Sequence, residues 1–266
     1  AIILLLIISG LVIVLMNKPP QKEAKNDQKV SETKKEEKTH FFIKDEQSLY
    51  IADNNYFKDG TKKLLQEATK GKKGVNLVLM GDAFVDKDIE SGYYEECMKA
   101  AMERLFSKQP YKALRNRFNV YTVYVVSPNA EYTDGAVYAF HNKGSYVDAR
   151  EYAVNAGIYE SGQPLMVTVI HNPKFPIVSS RSQCFSFVDD GSFVSFIRSA
   201  DTEGYTILHE TGGQGIGMLL DEYVETGSGA IDDETKALWD DEWNKYGRGA
   251  NVDWRSDPSK VKWASF

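Results

Sequence analysis

Short apolar runs, separated by segments of helical character, constrain the fold of this chain more than any other feature. Residues 75–84 (VNLVLMGDAF), 119–126 (NVYTVYVV) and 165–172 (LMVTVIHN) fit buried strands. Residues 183–197 (QCFSFVDDGSFVSFI) have the pattern of a hairpin that turns at residues 189–191. The hairpin predicts a mixed sheet with at least one antiparallel edge.

Helical segments alternate with these strands at residues 89–106, 149–156, 202–220 and 232–246. Strands that alternate with helices predict an α/β domain in which a mixed, mostly parallel sheet is flanked by helices. The acidic residues 232–234 suit the start of a helix, where negative charge is favourable. A calcium site at these acids is the alternative interpretation.

The N-terminal region has a different composition from the rest of the chain. Residues 1–16 are apolar and uncharged, which predicts an N-terminal membrane anchor, with a signal segment as the alternative. Residues 17–40 contain almost nothing apolar, so we expect a disordered, charged tether there. The folded domain is predicted over residues 41–266, outside the cytoplasm, and we expect the natural chain to continue beyond both ends.

Charge and cysteine content exclude some classes of protein. A formal net charge of −6, with no basic cluster in the folded part, argues against nucleic-acid binding. Two cysteines are too few for a disulfide framework or for a zinc site built from thiolates.

The segment that carries chemistry is 207–223 (ILHETGGQGIGMLLDEY). In the zinc-peptidase pattern HExxH, the two histidines lie four residues apart on one helical face, and the glutamate acts on the metal-bound water. Here the residue four after His209 is Gly213, and the next polar side chain is Gln214. In a straight α-helix, Gln214 would point about 140° away from His209. A π-bulge at the glycine pair would bring it back.

This segment resembles the signature of the IgA peptidase family of zinc metallopeptidases, H-E-x-G-G-H-G-F-G-x-L-x-D-E-Y. The matching positions are His209, Glu210, Gly212, Gly213, Gly215, Gly217, Leu219, Asp221, Glu222 and Tyr223. Residues 75–84, 109–129 and 251–263 are also similar to segments of the family. The likeness therefore covers roughly residues 70–266.

The resemblance implies a metzincin-like fold that binds zinc and hydrolyses peptide bonds in a protein or peptide substrate by zinc-activated water. His209 then corresponds to the first zinc ligand and Glu210 to the general base. Asp221 corresponds to the third ligand, with Glu222 as the alternative. The family's second histidine falls on Gln214, whose amide oxygen is a weaker zinc donor than imidazole.

That replacement leaves more than one function open. The chain is predicted to be a weak or inactive zinc metallopeptidase. A catalytically dead peptidase fold that binds proteins or glycans at the cell surface is the main alternative, and a structural envelope protein is the third.

Other residues have weaker support. His171 ends a predicted strand, where it either bonds to the backbone or lines the cleft. His40 and His141 have no motif around them. Tyr223 either stabilises an oxyanion or packs behind the ligand loop.

Overall fold

The structure is a computed structural model. It describes residues 7–8, 11–12, 58–70, 73–127, 146–175, 182–198, 204–222 and 229–264. By its contacts the chain divides into two units, Ala1–His40 and Phe41–Phe266.

The first unit contains two very short strands, β1 (Ile7–Ile8) and β2 (Leu11–Val12), which pair antiparallel. These four residues lie in the predicted anchor, and there the chain is extended. The rest of the anchor and the whole predicted tether lie outside the described residues. Within the described residues, no helix has the length and apolar character needed to span a membrane.

The second unit is built on a mixed, six-stranded sheet with the strand order β3-β5-β4-β6-β8-β7. Its strands are β3 (Lys62–Gln66), β4 (Val75–Asp82), β5 (Phe118–Val123), β6 (Met166–His171), β7 (Gln183–Phe187) and β8 (Ser192–Ile197). The four inner strands are parallel, and each edge strand runs antiparallel to its neighbour. The predicted mixed, mostly parallel α/β sheet and its hairpin are confirmed.

Helices follow β4 and β5, as expected, and three more follow the last strand, β8; two of the predicted helices differ from the structure. The helices are α1 (Asp86–Glu90), α2 (Tyr93–Leu105), α3 (Tyr111–Leu114), α4 (Tyr146–Asn155), α5 (Tyr205–Ile207), a π-helix (Leu208–Ile216) and α6 (Asp233–Tyr246). The helix predicted over 89–106 is two helices, because Gly92 has a φ of 84° and interrupts it. The helix predicted over 202–220 is mostly π-helical and ends at Ile216.

The acidic residues before α6 start that helix. The side chain of Asp232 accepts a hydrogen bond from the Thr235 N–H at 2.7 Å, as an N-cap residue does. The prediction that these acids open a helix is therefore confirmed.

Apolar side chains cover both faces of the sheet. In β4, Leu77 and Leu79 pack on one face with α2, whereas Val78 and Met80 pack on the other with α4. All four are fully buried, as expected for a strand whose successive side chains point to opposite faces. The π-helix joins the face that carries α2, because its Leu208 and Ile216 pack against the same cluster.

Candidate functional site

The π-helix brings Gln214 back to the face of His209. Its wide turn is seen in the hydrogen bond from the Gly217 N–H to the Gly212 carbonyl oxygen, 2.7 Å long and five residues apart. Residues five apart are stacked in such a turn, whereas in an α-helix they point in different directions. The expected widening at the glycines is therefore present in the structure.

Two glycines allow this helix to lie close against its neighbours. A Cβ at Gly212 would stand 2.7 Å from the Tyr111 ring, and one at Gly215 would stand 2.9 Å from the Phe193 ring. Gly213 differs, because its nearest atom would be the Leu208 carbonyl oxygen at 3.7 Å. The motif glycines at 212 and 215 are thus needed for packing.

Three buried hydroxyl groups hold the inner face of the helix on the sheet. Thr211 Oγ1 lies 2.9 Å from Thr168 Oγ1 of β6 and 2.7 Å from Ser195 Oγ of β8. Ser195 also donates to Thr168 at 3.1 Å, which closes the ring of hydrogen bonds. This cluster has no motif in the sequence, and sequence reasoning missed it. It fixes the orientation of the helix, so that His209 on the opposite face is exposed.

After the π-helix the chain reverses direction. The Leu219 N–H bonds to the Gly213 carbonyl oxygen at 2.9 Å, and Met218 takes the left-handed conformation with a φ of 50°. A residue in this conformation commonly ends a helix. The reversal returns the following residues, including Asp221, to the exposed face of the helix.

His209, Gln214 and Asp221 meet at one exposed place. Gln214 Nε2 lies 3.0 Å from His209 Nε2 and donates to Asp221 Oδ1 at 2.8 Å. His209 Nε2 and Asp221 Oδ1 are 3.0 Å apart. The side chains of His209 and Asp221 are 44% and 38% exposed, so a ligand from solvent can reach them.

These three contacts cannot all be hydrogen bonds at the same time. When His209 Nε2 is unprotonated and accepts a hydrogen bond from the Gln214 amide, it has no proton to donate to Asp221. When Nε2 carries a proton, it donates to Asp221, and the Gln214 amide keeps only its bond to that carboxylate. In both states Asp221 receives at least one hydrogen bond without a metal.

Glu210 differs from an ordinary helix-surface glutamate, because it is 6% exposed. Among the described residues, no group bonds to its Oε2 atom, which is buried. Burial and, to a smaller extent, the nearby charge of Asp221 raise the pKa of Glu210 to about 7 against the opposing effect of Arg198. The carboxyl group is therefore close to half-protonated at neutral pH, as suits a general base.

Two good zinc donors, His209 and Asp221, lie 3.0 Å apart here, but the third side chain, Gln214, is a poor donor. In the part of the chain that the structure describes, no three His, Cys, Asp or Glu side chains are grouped to hold a metal. Gln214 would have to be the third ligand, and it presents its amide nitrogen, which cannot bind zinc. A 180° turn of the amide would present Oε1 instead.

The structure separates the remaining predicted residues from this place. Glu222 Oε1 accepts a hydrogen bond from Asn251 Nδ2 at 2.8 Å, so the alternative ligand has a different partner. His171 is buried, with Nδ1 2.9 Å from Asp82 Oδ2 and Nε2 2.7 Å from the Phe175 carbonyl oxygen. It is thus a strand-end histidine bonded to the backbone. His40, His141 and Tyr223 lie outside the described residues.

A surface cavity of about 460 Å³ lies beside α4 and the end of β7. Its lining consists of Val147, Arg150, Glu151, Val154, Asn155 and Phe187. No predicted site residue lines this cavity.

The comparisons with known proteins give no family for this chain. No protein-family model matches it, and no curated protein matches it either. The likeness to the IgA peptidase family therefore rests on the motif and on the similar segments of the sequence alone.

Proposed function

We propose that this protein is a metzincin-like member of the IgA peptidase family in which Gln214 weakens the zinc site. It binds zinc loosely and hydrolyses peptide bonds slowly at best. The observation that carries the proposal is the meeting of His209, Gln214 and Asp221 within 3.0 Å of one another on the π-helix. The apolar and charged N-terminal segments, residues 1–16 and 17–40, favour a location outside the cytoplasm, tethered to a membrane.

The chain's own residues have distinct roles in this proposal. His209 and Asp221 would hold zinc, with Gln214 Oε1 as a weak third ligand. Zinc, when bound, supplies a Lewis acid that polarises the peptide carbonyl and makes water acidic. Glu210 takes the proton of the attacking water and passes it to the leaving amine. A pKa of about 7 for Glu210 suits both transfers near neutral pH.

Weak zinc binding follows from the contacts of Gln214. The amide must turn before its oxygen can face the metal, and the turn breaks its hydrogen bond to Asp221. Each such bond contributes about 1 kcal/mol, and more when the partner is charged. The amide oxygen is also a weaker zinc donor than the imidazole it replaces.

The second candidate is a catalytically dead peptidase fold that binds a protein or glycan at the cell surface. The observation that favours this candidate is that the Gln214 amide nitrogen lies between His209 and Asp221 and bonds to the Asp221 carboxylate without a metal. The zinc affinity of the purified protein separates the two candidates.

The test is a zinc titration of the wild-type protein beside the Gln214→His variant. We expect weak binding in the wild type and at least roughly tenfold tighter binding in the variant, since even outer-shell changes alter metal affinity about 10–100-fold. Hydrolysis of a quenched-fluorophore casein should appear with zinc in the variant and disappear when Glu210→Gln is added. Gln163→His, which adds an exposed histidine outside the motif, is the matched control.

Two results would contradict the proposal. Tight, stoichiometric zinc in the wild type would show that Gln214 is a working ligand. No gain in the Gln214→His variant would favour the dead, ligand-binding fold.

A further inference from the structure

Asn251 holds the backbone next to Asp221 from both sides. Its Oδ1 accepts a hydrogen bond from the Leu220 N–H at 3.0 Å, and its Nδ2 donates to the Leu220 carbonyl oxygen at 2.7 Å. One side chain thus binds both polar groups of the residue that directly precedes Asp221. The side chain of Asn251 is half-buried.

The same side chain also binds the neighbouring carboxylate. Asn251 Nδ2 donates to Glu222 Oε1 at 2.8 Å. Asp221 and Glu222 are adjacent in the sequence, and either could have faced His209. Since Asn251 holds Glu222, Asp221 is left to meet His209 and Gln214.

The backbone around Asn251 strengthens this contact. The Gly249 N–H donates to the Met218 carbonyl oxygen at 2.8 Å, so residues 249–251 run beside residues 218–220. A Cβ at Gly249 would stand 2.7 Å from Leu220 Cδ1, which shows how closely the two segments approach. Residues 218–222 form neither helix nor strand, and such a segment depends on contacts of this kind for its position.

We propose that Asn251 is the positioning residue that aims Asp221 at His209 and keeps Glu222 away. The part of this inference that concerns zinc affinity rests on the proposed function. The hydrogen bonds of Asn251 to Leu220 and Glu222 do not depend on that function. The hydrogen bonds of Asn251 go to Leu220 and Glu222, so it acts on Asp221 through the backbone of Leu220.

Asn119 provides a matched control, because it makes the same three kinds of hydrogen bond elsewhere. Its Oδ1 accepts from the Ala68 N–H at 2.8 Å, and its Nδ2 donates to the Lys73 carbonyl oxygen at 2.9 Å and to Asn76 Oδ1 at 3.0 Å. Asn119→Ala therefore has a similar cost in hydrogen bonds with no link to Asp221.

The first measurement is zinc affinity in the Gln214→His background. Adding Asn251→Ala should weaken zinc binding by about 10–100-fold, as the loss of other ligand-orienting contacts does. Asn251→Asp, which keeps the volume but loses the donor, should also weaken it. Adding Asn119→Ala should leave the zinc affinity within about twofold of that of the Gln214→His protein. Equal losses of zinc affinity in the Asn251→Ala and Asn119→Ala variants would overturn the inference.

The second measurement needs no zinc. In the ¹⁵N-labelled wild type with a chelator, the Gln214 side-chain amide signals report its bond to Asp221. Asn251→Ala should move these signals toward their positions in Asp221→Ala, and Asn119→Ala should not. Unchanged signals in Asn251→Ala would overturn the inference. If Gln214→His gains no zinc affinity, the proposed function fails, and the amide signals still decide the role of Asn251.

Discussion

Glu210 is the residue whose environment departs most from what its position in a helix implies. A carboxyl group buried beside Asp221 is easier to keep protonated, which raises its pKa from 4.5 to about 7. An acid whose pKa is raised on folding stabilises the fold fully below its unfolded pKa. That contribution is lost as the pH rises through the folded pKa.

This linkage gives a prediction for the free energy of unfolding in the presence of a chelator. Glu210→Gln removes the titrating group, so the variant should gain stability over the wild type as the pH rises from about 4.5 to 7. At about 1.4 kcal/mol for each pKa unit, the relative gain should approach about 3 kcal/mol by pH 8. Urea unfolding at pH 5 and pH 8 measures it, and Glu67→Gln at an exposed position is the control. A pH-independent difference between variant and wild type would show that Glu210 does not titrate in this range.

At the scale of the element, the π-helix both brings Gln214 to His209 and packs closely against neighbouring side chains. Its glycines have unequal surroundings, since a Cβ at Gly215 would stand 2.9 Å from the Phe193 ring, whereas one at Gly213 would make only an ordinary contact at 3.7 Å. The sequence motif does not distinguish them, but the structure does.

We therefore expect different effects from the same substitution at these two positions. Gly215→Ala places a methyl group 2.9 Å from the Phe193 ring and should cost about 1–3 kcal/mol, as overpacking usually does. Gly213→Ala should be neutral or stabilise the protein by up to about 1 kcal/mol, because alanine favours helices. Urea unfolding of both variants tests this. Equal destabilisation would mean that backbone conformation, not the contact with Phe193, requires glycine.

At the scale of the whole molecule, Glu95 of α2 links the edge strand β3 to Tyr124, which directly follows β5. It lies 2.7 Å from Lys63 Nζ of β3, and it accepts a hydrogen bond from the Tyr124 hydroxyl. The hydrogen bonds from Lys63 and Tyr124 lower the pKa of Glu95 to about 2. An acid with a lowered pKa stabilises the fold above its unfolded pKa, and the stabilisation is lost as the pH falls through the folded value.

Glu95→Gln should consequently make the protein less stable at neutral pH by about 1–2 kcal/mol, less than the full pKa shift implies, because Lys63 is half exposed and solvent screens the pair. The difference from the wild type should shrink as the pH falls from about 4.5 towards 2. Glu160→Gln, which breaks the exposed pair with Lys73, should cost less than about 1 kcal/mol. Urea unfolding between pH 3 and pH 7 measures both. A constant difference for Glu95→Gln would rule out the lowered pKa as its cause.

Several elements could be predicted because their signal is local. β4 and β6 are continuous apolar runs, and strands buried on both faces need such sequences. Asp232 precedes α6 with the side chain that a helix start requires. β3 (Lys62–Gln66) was missed, because its KKLLQ sequence has an exposed half and no alternation. Only its pairing with β5 makes it a strand.

The candidate site likewise has features that the sequence predicts and features that depend on the fold. The sequence by itself determined which residue types stand in the motif, including His209, Glu210 and the glutamine in place of histidine. It also indicated that residues 212–213 permit a wide helical turn. These properties are local, since they depend on residue identity and on spacing within one segment.

Only the tertiary structure decided which carboxylate faces His209. That choice depends on Asn251, which lies 31 residues after Leu220 and 29 after Glu222. The burial that shifts the pKa of Glu210 likewise depends on strands that are distant in the sequence. Contacts over such separations form only when the whole domain folds, so no pattern within residues 207–223 can encode them.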